Sequence, residues 1–404
     1  MLNLLRDPAM PSFWPPRPHP FWTWLLEPLR RYYLHRFMRV AEIAVEGIER
    51  FQACLAPGDS VLLAHNHSDH ADPQVMLEIG RRIGRQFYFM AAWQVFTQKW
   101  GLEGFIMQRM GAFSVDRENS DRRSIQQAIN LLITAQTLVV FPEGEVYHLN
   151  ERLTPLLDGV AHMGLLAQRK LEQTHPEAHV WLVPVAIRYC FLEEIHSRLE
   201  AVLAQMEQRF LLKASAGQPV HERLVRLGEM LLTLKEKDQL GRSRDSEGSL
   251  PERLQYLIEA MLARLEQEWL KTGKRDDTVP LRLMRLRRTV LDVVSSGTAD
   301  EVVRARGTAA LDDLHLITQL FSYPGDYLLE KVCPERMAET LTKLQEDMTG
   351  RTPRPLGRRR ARVLLGEPID LNARSSRGRS RTLARELTTE LEDAIAQLLK
   401  SEQA

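Results

Sequence analysis

Between Ala41 and Arg188 the sequence alternates strand-length apolar runs with helical stretches, and this alternation limits the available folds more than any other feature. The strand runs are Glu42 to Val45, Ser60 to Ala64, Gln86 to Ala91, Ala112 to Val115, Thr137 to Phe141 and Val180 to Arg188. Apolar residues at helical spacing fall between them, at about Gln74 to Arg82, Ser120 to Thr134 and Gly159 to Leu171. Strands separated by helices predict an α/β fold, with a mostly parallel central sheet flanked by helices on both faces.

Strand character returns late, in Ala361-Arg362-Val363-Leu364-Leu365-Gly366-Glu367-Pro368-Ile369, and an amphipathic helix follows from about Thr382 to Leu399. A lone strand and helix cannot bury an apolar face, so this pair is expected to complete the earlier sheet. The resulting division is an N-terminal aromatic and basic segment over 1–40, the first part of the α/β domain over 41–190, a helical insertion over 191–355, and the last strand and helix over 356–404. Within the insertion, Leu and Met recur at helical spacing in Arg198 to Leu212, Val220 to Leu234 and Leu254 to Leu270. The polar run Gly241 to Ser249 is expected to be a mobile loop.

Chemistry concentrates where the second strand run ends, in His65-Asn66-His67-Ser68-Asp69-His70-Ala71-Asp72-Pro73. Asp72-Pro73 suits the start of a helix. Two constellations overlap here. His67 and Asp72 are spaced for a general base whose second ring nitrogen is held by a carboxylate, an arrangement that lets a hydroxyl attack an acyl group without an enzyme nucleophile. His65, His67, Asp69 and His70 have the H-x-H-x-D-H spacing of a metallo-β-lactamase-like zinc loop, in which the metal activates water.

Other features narrow the setting. Cys54, Cys190 and Cys333 are far apart and in no C-x-x-C pattern, so neither a disulfide framework nor a thiolate metal site is expected, and a reducing compartment fits. No apolar run reaches the length of a spanning helix, and Asp7, Pro8 and Pro11 interrupt any signal-like N-terminus. Residues 1–40 nonetheless place Phe13, Trp14, Phe21, Trp22 and Trp24 ahead of a helix-like run carrying Arg30, Arg31, Arg36 and Arg39. That composition suits either a bilayer interface or packing on the protein's own core. Clusters at Arg351, Arg354, Arg358, Arg359, Arg360 and Arg362, and at Arg374, Arg377, Arg379, Arg381 and Arg385, offer cations to acidic lipid. No base-reading motif accompanies them, so nucleic acid is not an expected partner.

Four blocks together carry a resemblance. Asn66-His67-Ser68-Asp69-His70-Ala71-Asp72, Gly111-Ala112-Phe113-Ser114-Val115-Asp116-Arg117, Phe141-Pro142-Glu143-Gly144 and Leu182-Val183-Pro184-Val185-Ala186-Ile187 resemble, in order, the four blocks of the glycerophosphate and lysophosphatidate acyltransferase superfamily. Gly366-Glu367-Pro368-Ile369 is similar to that family's closing strand. The likeness covers roughly 41–190 and 360–400 and leaves the insertion aside.

The resemblance implies an O-acyltransferase of phospholipid synthesis. His67 and Asp72 would be catalytic, Arg117, Gly111, Glu143, Gly144 and Pro184 would bind substrate, and neither metal nor cofactor would be needed. Acyl-CoA or acyl carrier protein would donate, and a lysophospholipid, foremost 1-acyl-glycerol-3-phosphate, would accept. The expected location is cytoplasmic, peripheral on the cytoplasmic face of a membrane. One departure bears on the acceptor: where the family continues Thr-Arg-Ser, this chain has Glu145-Val146-Tyr147, an acid in place of a hydroxyl and an aliphatic in place of a cation. A zinc hydrolase on the four-residue metal spacing, and a non-catalytic lipid-binding or scaffold protein with a degenerate domain, are the competing expectations.

Overall fold

Every residue of the strand Ser60–His65 is buried, and its side chains alternate between two cores. Leu62 and Ala64 face one, Val61 and Leu63 the other, as a strand covered on both sides requires. The computed structural model describes residues 13–117, 121–212, 217–245, 247–270, 277–296, 299–375 and 380–401. Residues 1–12, Ser120, Ser246, Arg377 and Arg379, which fall in the stretches named above, lie outside the described residues. The chain separates into two compact units, described over 13–192 with 358–401 and over 193–357.

The first unit is built on one sheet. Its strands are β1 Val40–Glu46, β2 Ser60–His65, β3 Phe87–Ala92, β4 Ala112–Val115, β5 Thr137–Val140, β6 Val180–Phe191, β7 Arg359–Leu365 and β8 Ile369–Asp370. They lie in the order β1-β7-β6-β2-β5-β3-β4, with β8 also on β6. All neighbours are parallel except β6 with β7 and β8. The late strand β7 therefore sits inside the sheet, between β1 and β6, and not at an edge. Helices Arg122–Ile133, Gly159–Thr174 and Ser380–Lys400 pack one face, and Asp72–Arg82 and Ile48–Ala53 pack the other.

The N-terminal segment divides its aromatic residues between core and surface. Phe13 and Trp14 pack inward, and the chain around them runs along the edge strand β4, where Ser114 N–H donates to Trp14 O at 3.0 Å. The helix Pro20–Arg36 then docks on Asp72–Arg82 through Arg30, buried between Glu27 at 2.7 Å and Glu78 at 2.5 Å. Trp22 meets Phe105 edge-on. Phe21, Trp24, Leu25, Leu29, Tyr32 and Phe37 remain exposed, and residues 21, 25, 29 and 32 repeat at the spacing of one helix face.

The second unit is helical, with its longer helices at His196–Arg209, Val220–Leu240, Leu250–Trp269, Val279–Val294, Glu301–Phe321 and Pro334–Thr349. Leu257, Met261, Leu262, Leu286, Leu314 and Ile317 form its centre. Ion pairs such as Arg253 with Glu236, at 2.7 Å, are buried beside it. The polar run expected to be mobile is bracketed by structure among its described residues: Arg242 and Arg244 both pair with Glu247, and Ser249 opens the next helix with a capping box to Glu252.

Candidate active site

β2 stops at His65, which pairs with Val185 of β6, yet β6 continues to Phe191. Beyond that point the backbone of β6 needs new partners on its β2 side. Two asparagines supply them. Asn66 donates to Ile187 O at 3.0 Å and accepts from Ile187 N–H at 2.8 Å. Asn150 makes the same two bonds with Tyr189, at 2.8 and 2.7 Å. Side-chain amides thus replace a missing strand and pin the loop after β2 to the sheet.

The loop then crosses the top of the sheet to Asp72, the first residue of the next helix. His67 Nδ1 lies 2.9 Å from Asp72 Oδ2, and the Asp72 side chain is wholly buried. Asp72 also accepts from the Asp69 N–H at 3.1 Å, while its other oxygen accepts from the Tyr189 hydroxyl at 2.6 Å. His67 packs against the Phe141 ring, centroids 4.0 Å apart, and its side chain keeps some exposure. Burial, then the neighbouring His70 and Arg117, pushes the His67 pKa down to about 3. Burial pushes Asp72 up to about 7, with Asp69 adding to it and His65 and Tyr189 opposing. Burial thus favours a neutral imidazole, and the two groups, 2.9 Å apart, titrate as a unit. A neutral ring whose Nδ1–H is held by a carboxylate presents a lone pair on Nε2, the requirement for a general base.

Glu143 stands behind this loop. It is buried, its Oε1 accepts the His67 main-chain N–H at 2.6 Å, and its Oε2 accepts the Thr154 N–H at 3.0 Å and the Thr154 hydroxyl. Burial pushes its pKa up to about 7 despite those bonds. The resemblance implies an acceptor contact for Glu143; in the structure its two oxygens hold the His67 loop and the segment after β5. Gly144 follows in a left-handed conformation, φ +77°, closing a turn back to Phe141 O at 3.0 Å. Its carbonyl accepts from Arg117, which also pairs with Glu145 at 3.3 Å.

Two residues assigned to substrate binding lie elsewhere. Gly111 precedes β4, whereas Arg117 follows it, so the four-residue strand, about 13 Å long at 3.3 Å per residue, lies between them. Gly111 is needed there because φ is +95° and a Cβ would meet Phe87 O at 2.7 Å. Pro184 is a buried strand residue beside Ala64, and its carbonyl accepts from Gly366 N–H at 2.8 Å.

The four residues of the zinc-type spacing do not converge. His65 is buried against Phe141, with Nδ1 on Asn66 O and its pKa lowered to about 4 by burial. His67 faces Asp72, and Asp69 is paired with Arg359 of β7 at 2.6 Å. Among the described residues these four form no group within metal-binding distance of one another. Tyr189, Asn66, Asn150 and Arg359 were not identified as site residues from sequence. Arg359, Arg360, Arg362 and Arg374, read there as cations for lipid, pair with Asp69, Glu42, Glu46 and Glu390 of the same unit.

Residues 42–188 match the family model described as Acyltransferase. Over 99 residues the chain is 32% identical to a 1-acyl-sn-glycerol-3-phosphate acyltransferase of Bacillus subtilis (strain 168), a stretch covering 24% of this chain and 48% of that protein. The chain thus spans about half the length of this relative.

Proposed function

We propose, from the match of residues 42–188 to the Acyltransferase family model and the partial likeness to a 1-acyl-sn-glycerol-3-phosphate acyltransferase, that the protein transfers a fatty acyl group from acyl-CoA or acyl carrier protein to the hydroxyl of a lysophospholipid, 1-acyl-glycerol-3-phosphate foremost. The observation that carries this reading is the His67–Asp72 contact on a fully buried carboxylate. His67 Nε2 takes the proton of the acceptor hydroxyl as its oxygen attacks the thioester carbonyl carbon. The tetrahedral intermediate collapses by breaking the carbon–sulfur bond, and the departing thiolate takes the proton back from His67. An ester and a free thiol result, with no acyl-enzyme. Asp72 fixes the tautomer and stabilises the imidazolium formed on the way. Arg117 contacts the acceptor headgroup, where Glu145 tempers its charge.

Incubating the purified protein with a panel of lysolipids and acyl-CoA, read by lipid mass spectrometry, tests the reading. A diacyl product with wild type and none with His67→Ala supports it; acylation that persists in the variant removes it.

The membrane is the second half of the proposal. No helix among the described residues is long and apolar enough to cross one. The exposed face of Pro20–Arg36, with Trp24 72% exposed, instead suits a helix lying in the headgroup layer. The protein then works as a peripheral enzyme on the cytoplasmic face, drawing its amphiphilic acceptor from the bilayer. Flotation with vesicles tests this: loss of binding in Trp24→Ser with Leu29→Ser is expected, and undiminished binding contradicts it.

A further inference from the structure

Asp72 is held from both sides, and only one side belongs to the His67 contact. Oδ2 faces His67 and the Asp69 N–H, while Oδ1 receives the Tyr189 hydroxyl at 2.6 Å. Tyr189 is buried and is itself fixed by three neighbours. Its main chain is clamped by Asn150, its ring lies beneath the Arg359 guanidinium at 4.6 Å, and its hydroxyl has Asp72. Arg359 is held in turn by Asp69 at 2.6 and 3.2 Å and by Met38 O at 2.9 Å. Tyr189 lies just past the family match and Arg359 on the strand after the helical unit, so neither is assigned by the comparisons.

We infer that Tyr189, backed by the Asp69–Arg359 pair, is a positioning residue of this site: its hydroxyl locks the Asp72 carboxylate in the rotation that presents Oδ2 to His67. The inference rests on His67 being the base. A carboxylate bonded on one oxygen alone can turn about its last side-chain torsion, whereas bonds on both oxygens remove that freedom. The hydroxyl also stabilises the charged form of Asp72. The groups facing Asp72 are His67 and Asp69 on its own loop, His65 at the end of β2, Tyr189 on β6, Arg359 on β7 and Glu143 after β5. Asp69 and Glu143 favour a proton on Asp72. Tyr189, His65 and Arg359 oppose it.

Two substitutions move this balance in opposite directions. Tyr189→Phe keeps the ring and removes the hydroxyl, so protonation of the dyad moves to higher pH. Asp69→Asn removes an anion and moves it to lower pH. The test follows the His67 ring nitrogens by NMR of isotope-labelled histidine between about pH 5 and 9, beside the pH profile of kcat/KM. The expected shift is about one pH unit upward for Tyr189→Phe, read as a roughly tenfold loss of kcat/KM on the acid side. Asp69→Asn is expected to shift downward; should the Tyr189→Phe protein not fold, 3-fluorotyrosine at position 189, whose more acidic hydroxyl donates more strongly to Asp72, carries the test with an expected downward shift. A His67 transition that stays in place when the Tyr189 hydroxyl is removed or made more acidic, or that moves downward in Tyr189→Phe as it does in Asp69→Asn, overturns the inference. An NMR shift with no matching shift in the rate profile keeps Tyr189 in its role and removes His67 as the base.

Discussion

The Glu143 carboxylate accepts the main-chain N–H of His67 at 2.6 Å, so the Phe-Pro-Glu-Gly turn and the histidine loop are fastened to each other at one atom. The same carboxylate fastens Thr154. Glutamine at 143 can satisfy one side only, because its amino group would face an N–H donor on the other. Glu143→Gln should lower kcat by roughly 10- to 100-fold with a smaller change in the donor KM, an effect of about 1 to 3 kcal/mol. A KM rise for the acceptor at unchanged kcat would instead put Glu143 on the substrate.

Glu145 pairs with Arg117 at 3.3 Å where a hydroxyl residue is usual for the resemblance. Both side chains are about a third exposed, so solvent screens the pair and its effect is modest. Glu145→Thr should lower the KM for a phosphate-bearing acceptor by about three- to tenfold and leave uncharged acceptors unaffected. Steady-state kinetics with the two acceptor classes checks this, and equal changes in both would contradict it.

Glu78 anchors the N-terminal helix through Arg30, and its pKa falls to about 2: burial opposes ionisation, but the bonds from Arg81 and Arg30 outweigh it. A carboxyl depressed in the folded state adds stability above its unfolded pKa of about 4.5 and loses it as pH falls toward about 2. Glu78→Gln should therefore cost about 3 kcal/mol at pH 7, since Arg30 is left buried with less compensation. The gap between wild type and variant should close steadily below about pH 4.5. Urea unfolding at several pH values measures it; a gap that does not depend on pH would mean the pair contributes little.

The α/β alternation was legible because a strand buried on both faces is a continuous apolar run, as Val61 to Ala64 shows, and because the helices between strands keep a helical period. The His67–Asp72 contact was legible because the two are near in sequence, between the end of a strand and the start of a helix. The supports were not. Asn66 bonds a residue 121 positions away, and Arg359 pairs with a residue 290 positions away. No local pattern marks such partners, and Arg359 among neighbouring arginines reads as one surface cation of several. The bonds of Glu143 to His67 and Thr154 were not legible either, because a motif records which residue is present and not which way its carboxylate turns.

In the proposed transfer His67 is the base. The most direct test of this role is the single-turnover rate of acyl transfer by His67→Gln against wild type, with unfolding temperature measured alongside. A loss of about a thousandfold or more in a variant that stays folded is the predicted result. A folded variant that retains transfer within about tenfold of wild type would contradict it.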